Sequence, residues 1–329
     1  MFDRSAHPSI PRRHRAIEWP TWAVAASVYV GWGLVTWFHA ALPLWLVLPA
    51  GAWLVAWHGS LQHETIHGHP TRLRWLNAAL GWPPLGLWMP YELYRESHLA
   101  HHRNARVTCP IEDPESFYVL PGTWAAMAPA TRALFAFNQT LAGRLTVGPG
   151  IVLARFLTAE AGRLRRGDRK RRLVWLRHAA GVGAVLTWVV GICGLPLWQY
   201  LSGFVYAGLA LTLLRSFAEH RAAVDPGRRT AVVRAGPLLS LLFLNNNLHV
   251  THHAKPSVPW YRLPAVSRTI DADRHAADGA GLYRGYRDVV RRFLFRTLAH
   301  PVHPFVPDRA SAGDRRPEGE PDTAAPRVA

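Results

Sequence analysis

The stretch LVAWHGSLQHETIHGHP, Leu54 to Pro70, changes character halfway along. Its first half continues an uncharged apolar run. Its second half is polar and places His63, Glu64, His67 and His69 within seven residues. Taken alone, HETIH fits H-E-x-x-H, in which two histidines one helical turn apart bind zinc and the glutamate serves as a base. Whether this is a zinc hydrolase depends on what surrounds the motif.

The chain has 329 residues, 49% of them apolar and 15 of them Trp. Its mean hydropathy is near zero, so the apolar residues must be concentrated. They are: Pro20–Gln62, 43 residues, and Ala179–Leu214, 36 residues, contain no Asp, Glu, Lys or Arg. A membrane-spanning helix takes about 20 apolar residues, so each run holds two helices and a tight turn, with spans at about 21–38, 43–61, 173–193 and 196–214. A buried hairpin of a soluble core does not stay uncharged for so long. A signal peptide is excluded by the length of the first run and by its continuation into a second span without a cleavage site. The expected fold is an all-α integral membrane protein, with four transmembrane helices arranged as two hairpins and a helical cap on the cytoplasmic side.

Both hairpin turns lack Lys and Arg, whereas the flanking segments are rich in them, as in RRHR (Arg12–Arg15) and RLRRGDRKRR (Arg163–Arg172). The positive-inside rule then places both termini and the central segment in the cytoplasm, and the expected location is a bacterial inner membrane. Residues 1–18 read as a basic cytoplasmic arm, 19–307 as the membrane domain and 308–329 as a disordered tail. The net charge of +17 is carried almost wholly by Arg, since Lys170 and Lys255 are the only lysines. Such a face attracts anionic lipid or an acidic protein; no nucleic-acid partner is expected. Cys109 and Cys193 are expected to be free thiols.

Two more histidine clusters accompany HETIH: HLAHH, with His98, His101 and His102, and HVTHH, with His249, His252 and His253. His220 stands alone in RSFAEHRA. Residues i, i+3 and i+4 share a helix face. Adjacent residues diverge by about 100°, so H-x-x-H-H can serve two metals side by side. A mononuclear zinc takes three or four protein ligands, and nine imidazoles exceed that. Each cluster sits at or beyond the cytoplasmic end of a span. Imidazole suits Zn, Cu, Fe and Ni alike. His7, His14, His39, His58, His178, His275, His300 and His303 read as structural or exposed, and His69 as either helix terminator or neighbour of the site.

The three boxes, in this order and around two hairpins, resemble the membrane fatty acid desaturase superfamily. So do ESHLAHHRN, EDPESF (Glu112–Phe117) and NNNLHVTHHAKPSVPWYRLP (Asn245–Pro264). The resemblance covers roughly residues 20–265. It implies two non-haem irons held by His63, His67, His98, His101, His102, His220, His249, His252 and His253, O2 as co-substrate, and an apolar tunnel for an acyl chain. In the acyl-CoA branch an Asn lies one turn before the lone histidine and reaches the metal through water; here Ser216 takes that place. Candidate residues around the ligands are Glu64, Ser216, Glu219, Asn245 and Asn246, with Glu96, Glu112, Asp113 and Glu115 as further acceptors for ring N–H groups.

Removing hydrogen from an unactivated CH2 is beyond any side chain, so a redox metal must carry it. The expected reaction is conversion of a C–C bond of a fatty acyl chain to a double bond, and hydroxylation of a lipid or hydrocarbon is the alternative on the same fold. The two electrons required point to a separate donor such as a ferredoxin, because no four-Cys cluster pattern and no G-x-G-x-x-G loop is present. A zinc protease leaves both H-x-x-H-H boxes without a role. A metal transporter is disfavoured because the spans carry no carboxylates.

Overall fold

The computed structural model describes residues 17–103 and 107–304. Most of the basic arm and all of the tail expected from sequence lie outside them. The described chain is mostly helical. Helix α1, Trp19–Trp37, and α2, Leu44–Ile66, form the first hairpin. Pro20 fits the first turn of α1, and Pro43 precedes α2 in extended conformation, where its missing N–H costs nothing. As expected from sequence, α2 runs past the apolar stretch and ends at His67, where Gly68 turns left-handed at φ +91°.

Short helices follow: α3, Arg74–Gly81; α4, Tyr91–Arg103; α5, Pro121–Ala126; α6, Pro129–Phe137; α7, Leu141–Thr146; and α8, Gly148–Arg165. Asp168 then caps the next helix by accepting from Arg171 N. This is α9, Arg169–Ile192, and α10, Leu197–Glu219, returns beside it. Beyond come α11, Pro237–Leu242, α12, His249–Ala254, and three short C-terminal helices. The fold is not wholly helical: Val232–Val233 and Leu282–Tyr283 pair in parallel as two short strands, β1 and β2.

Among the described residues, three helices are long and apolar enough to cross a membrane: α2, α9 and α10. Helix α1, expected from sequence as the fourth span, is not among them. Helix α1 carries no charge, but its four Trp, two Thr and two Gly hold its mean hydropathy down. Indole N–H and hydroxyl groups favour the interfacial region over the hydrocarbon. Polar side chains also tie α1 to its neighbours: Trp188 Nε1 donates to Thr36 Oγ1 at 2.9 Å, and Trp32 Nε1 to Tyr200 OH at 3.2 Å.

Helices α2 and α10 interlock through small residues. Gly51 lies under the Phe204 ring, Gly203 under Leu48 and Gly208 under Val55. Where lipid supplies no hydrophobic drive between helices, such close backbone approach gives the packing energy. A Cβ on Gly51 would sit 2.4 Å from the Phe204 ring, whereas one on Gly33 meets nothing within 4 Å. Gly51→Ala is therefore expected to cost about 1–3 kcal/mol through overpacking. The unfolding midpoint in detergent should fall for Gly51→Ala and hold for Gly33→Ala. This packing brings the ends of α2 and α10 together, and with them His63, His67 and His220.

Candidate metal centre

Four segments deliver the nine histidines: the end of α2, the last turns of α4, the residue after α10, and α12. They form two groups. His63, His67, His98, His102 and His252 make one, and His101, His220, His249 and His253 the other; within each group the ligand atoms lie within 4.8 Å of one another. Both H-x-x-H-H boxes are split between the groups, His101 from His102 and His252 from His253. That is what a step of about 100° per residue demands of adjacent side chains on a helix. All nine residues singled out in sequence therefore meet.

The ring nitrogens show what the groups are built for. His220 Nδ1 lies 3.2 Å from Arg229 O, and His249 Nδ1 lies 3.1 Å from Asn246 O. A carbonyl oxygen only accepts, so both Nδ1 atoms carry the proton and both Nε2 atoms of the neutral rings are lone pairs. Yet these two Nε2 atoms face each other at 2.9 Å. Two further Nε2 pairs stand as close: His101 Nε2 lies 3.2 Å from His253 Nε2 while its Nδ1 bonds Asp113 at 2.9 Å, and His98 Nε2 lies 3.0 Å from His67 Nε2 while its Nδ1 bonds Glu115 at 3.2 Å. Facing lone pairs repel, and a cation between them reverses the sign.

Electrostatics agree with neutral rings. Burial and then the neighbouring His98 push His67 and His102 down to about 2. Burial and His101 push His220 down to about 3, and burial with other histidines holds His249, His252 and His253 well below the usual range. His101 differs: burial would lower it, but the Glu115 and Asp113 carboxylates outweigh that and raise it to about 9. Burial would raise Glu115, but His98 and His101 hold it well below the usual carboxylate range. These two acids supply negative charge that a bound cation would use in place of the His101 proton.

Asp113 is the best-fixed of the supporting groups. It is buried, holds His101 through Oδ1, and accepts from Thr108 N at 2.7 Å and Glu115 N at 2.9 Å. An Asn there has one acceptor oxygen for bonds now shared by two, and cannot hold the ring and the loop alike. Asp113→Asn is expected to lower metal affinity about 10–100-fold, the usual range for loss of a ligand's outer partner; chelator competition measures it.

The other sequence candidates fall on both sides. Asn246 Nδ2 lies 3.3 Å from His63 Nε2, and Glu219 lies 3.3 Å from His249 Nδ1 and 3.2 Å from Arg215 Nε. Glu64 and Asn245 are placed differently from expectation. Glu64 accepts from Trp260 N at 3.2 Å and Asn245 donates to Trp260 O at 3.0 Å, so the segment after the third box is tied to α2 by the first and to the loop before that box by the second. Asn245 adopts a left-handed φ of 55°, which Asn tolerates. Ser216 lines a cavity and turns its hydroxyl to Leu213 O, and Glu96 pairs with Arg171. His69, left open by the sequence, is fully buried and bonds Glu18 at 2.9 Å, so Glu18 does not extend freely with the basic arm.

Arg229 was not singled out by sequence. It is wholly buried and donates to Val107 O, Ala223 O and Val224 O, while its own carbonyl holds His220. Nothing in DPGRRT distinguishes it from the exposed Arg228 beside it.

A cavity of about 750 Å³ reaches the histidines: His98, His101, His220 and His249 line it. Much of the remaining wall is apolar, from Val55, Leu87, Trp88, Ile151, Phe156, Val205, Leu209 and Leu213.

Comparison with known proteins fits this architecture. The family model described as "Fatty acid desaturase" matches residues 40–287, which span all three boxes and His220. A beta-carotene ketolase from Paracoccus sp. (strain PC1) is 28% identical over 243 residues, covering 70% of this chain and 82% of that protein. With two metal-ready histidine groups at the end of an apolar cavity and a family match over most of its length, the chain belongs to the fatty acid desaturase family.

Proposed function

We propose that this protein is an O2-dependent membrane oxidoreductase that acts on an unactivated C–H bond of a lipid chain, with desaturation of a fatty acyl chain as its reaction. The observation that supports it most is the pair of converging imidazole groups, five and four histidines, beside an apolar cavity. Two non-haem irons fit these groups and would supply the oxidising power that no side chain has. His63, His67, His98, His102 and His252 would hold one, and His101, His220, His249 and His253 the other.

The chain's own residues do the positioning. The apolar wall of α2, α8 and α10 excludes water and lays one CH2 against the histidine end, a task worth several orders of magnitude in rate. Asp113, Glu115 and the Arg229 and Asn246 carbonyls keep the ring protons on Nδ1 and the Nε2 atoms free. Loss of a second hydrogen from the neighbouring carbon gives an alkene. O2 takes up four electrons, two from the substrate and two from an external donor such as a ferredoxin, and leaves as water.

A second reading, insertion of oxygen into a hydrocarbon, is favoured by the similarity to a beta-carotene ketolase. In either case α1 completes two hairpins, and the charge-free turns at 38–43 and 193–196 lie away from the cytoplasm. The site then faces the cytoplasm under a helical cap. Expression in a bacterium with a ferredoxin system, with His102→Ala as control, tests this. A new His102-dependent double bond in total fatty acids establishes desaturation. A His102-dependent alcohol or ketone in the lipid extract moves the reading to oxygenation.

A further inference from the structure

Five arginines line the cavity, and four of them have an ion pair or a carbonyl partner, although Arg215 keeps one terminal nitrogen unpartnered. Arg163 and Arg171 pair with Glu160 at 2.9 and 3.4 Å, Arg215 pairs with Glu219, and Arg155 donates to Ser116 O at 3.2 Å. Arg144 is different. It is 3% exposed, and among the described residues it forms no ion pair. Its Nε donates to Asn138 O at 3.2 Å, and its guanidinium carbon stands 3.7 Å from the Phe117 ring centroid and 5.5 Å from that of Phe217. Its two terminal nitrogens have no partner among the described residues, on a side chain that helps to line the cavity. Burial lowers its pKa to about 10, which leaves it charged at neutral pH.

A buried charge without a counter-charge is costly, even when stacked on rings. Phe117 covers one face of the fork and Nε is occupied, so the free donors are those of the outer edge. That edge matches the two oxygens of a carboxylate. Asn138 Oδ1, also buried and unpartnered, and the buried Gln139 of the cavity wall add polar atoms at the same end. Phe217, which faces Arg144, precedes His220 by one helical turn, so the cation and the histidines share one wall of the cavity.

We propose that Arg144 anchors the carboxylate of an unesterified long-chain acid inside the cavity, so that the substrate class is free acids and the oxidised carbon is set by its distance from the carboxyl end. This rests on the reading of the cavity as a lipid-chain site.

The test is equilibrium binding of radiolabelled palmitic acid to the purified protein in detergent at mildly alkaline pH, with methyl palmitate and hexadecanol as competitors. A charged hydrogen bond of about 1.5–3 kcal/mol corresponds to roughly 10–100-fold, so the acid should outbind the ester by at least about tenfold. In Arg144→Gln that preference should fall to within about twofold while iron content stays at the wild-type level. Equal binding of acid and ester by the wild type overturns the proposal without recourse to a variant. Acid preference that survives in Arg144→Gln overturns it as well. Lipid oxidation is assayed separately on the same preparation: acid preference without any oxidation keeps the anchor and sinks the functional reading, and oxidation of esterified lipid without acid preference does the reverse.

Discussion

Replacement of His220 by alanine is expected to reduce bound iron from about two per chain to about one and to abolish turnover, while the protein still inserts and folds. His220 belongs to the group of four and comes from the end of α10, outside the three boxes. Removing it leaves three nitrogens in that group and does not touch the other five. The group of five should behave differently. His102→Ala leaves four nitrogens in place, enough to retain much of its metal, yet it changes the coordination on which the chemistry depends. Both variants should lose more than the roughly hundredfold that bounds the loss of an outer partner. Iron per chain by metal analysis, set against turnover on the same preparation, separates the two groups. Two irons per chain in His220→Ala would remove His220 from the ligand set and with it the proposed division into four and five.

The second large effect is expected at Arg229. Its guanidinium donates to three carbonyl oxygens, at 2.7 Å to Ala223, 3.0 Å to Val107 and 3.1 Å to Val224, in a fully buried position. Arg229→Met fills the volume but strands those acceptors. At about 1–3 kcal/mol for each unsatisfied buried group, the loss is on the order of 3–9 kcal/mol, comparable with the whole stability of a typical domain. Lysine is not expected to rescue it, because only the planar fork can reach three diverging carbonyls from one side chain. The damage should reach the metal site by two routes. The Arg229 carbonyl holds His220 Nδ1, and Val107 leads into the segment in which Thr108 N fixes Asp113. Failure to accumulate, or a steep fall in thermal midpoint with loss of iron, is the expected result. Arg228→Ala is the control: that side chain is 66% exposed and should stay within about 0.5 kcal/mol of wild type. A stable, iron-replete Arg229→Met protein would show that solvent or a rearranged loop satisfies the carbonyls.

The sequence by itself determined what depends on local periodicity and on composition. Two long uncharged runs required membrane-type hairpins, and the C-terminal ends of α2 and α10 fall close to where the charges resume. Eight of the nine ligand candidates were legible because helical spacing alone puts i, i+3 and i+4 on one face and turns the adjacent histidine away, whereas the solitary His220 joined them through the family resemblance. The HETIH motif was ambiguous on its own, and became one box of three only when the other two were read beside it.

What remained was decided by tertiary structure, because it depends on which backbone atoms surround a side chain. Glu64 sits between two candidate ligand histidines in sequence, yet its carboxylate faces Trp260 N across the fold. Asp113 and Glu115 looked like any acids of a loop until folding placed them on Nδ1 of His101 and His98. Arg228 and Arg229 are neighbours of one residue type, and only the path of the chain buries the second among carbonyls. The assignment of histidines to a group of five and a group of four is likewise a product of assembly: each group draws on at least three separate segments, and no spacing along the chain encodes which segments meet.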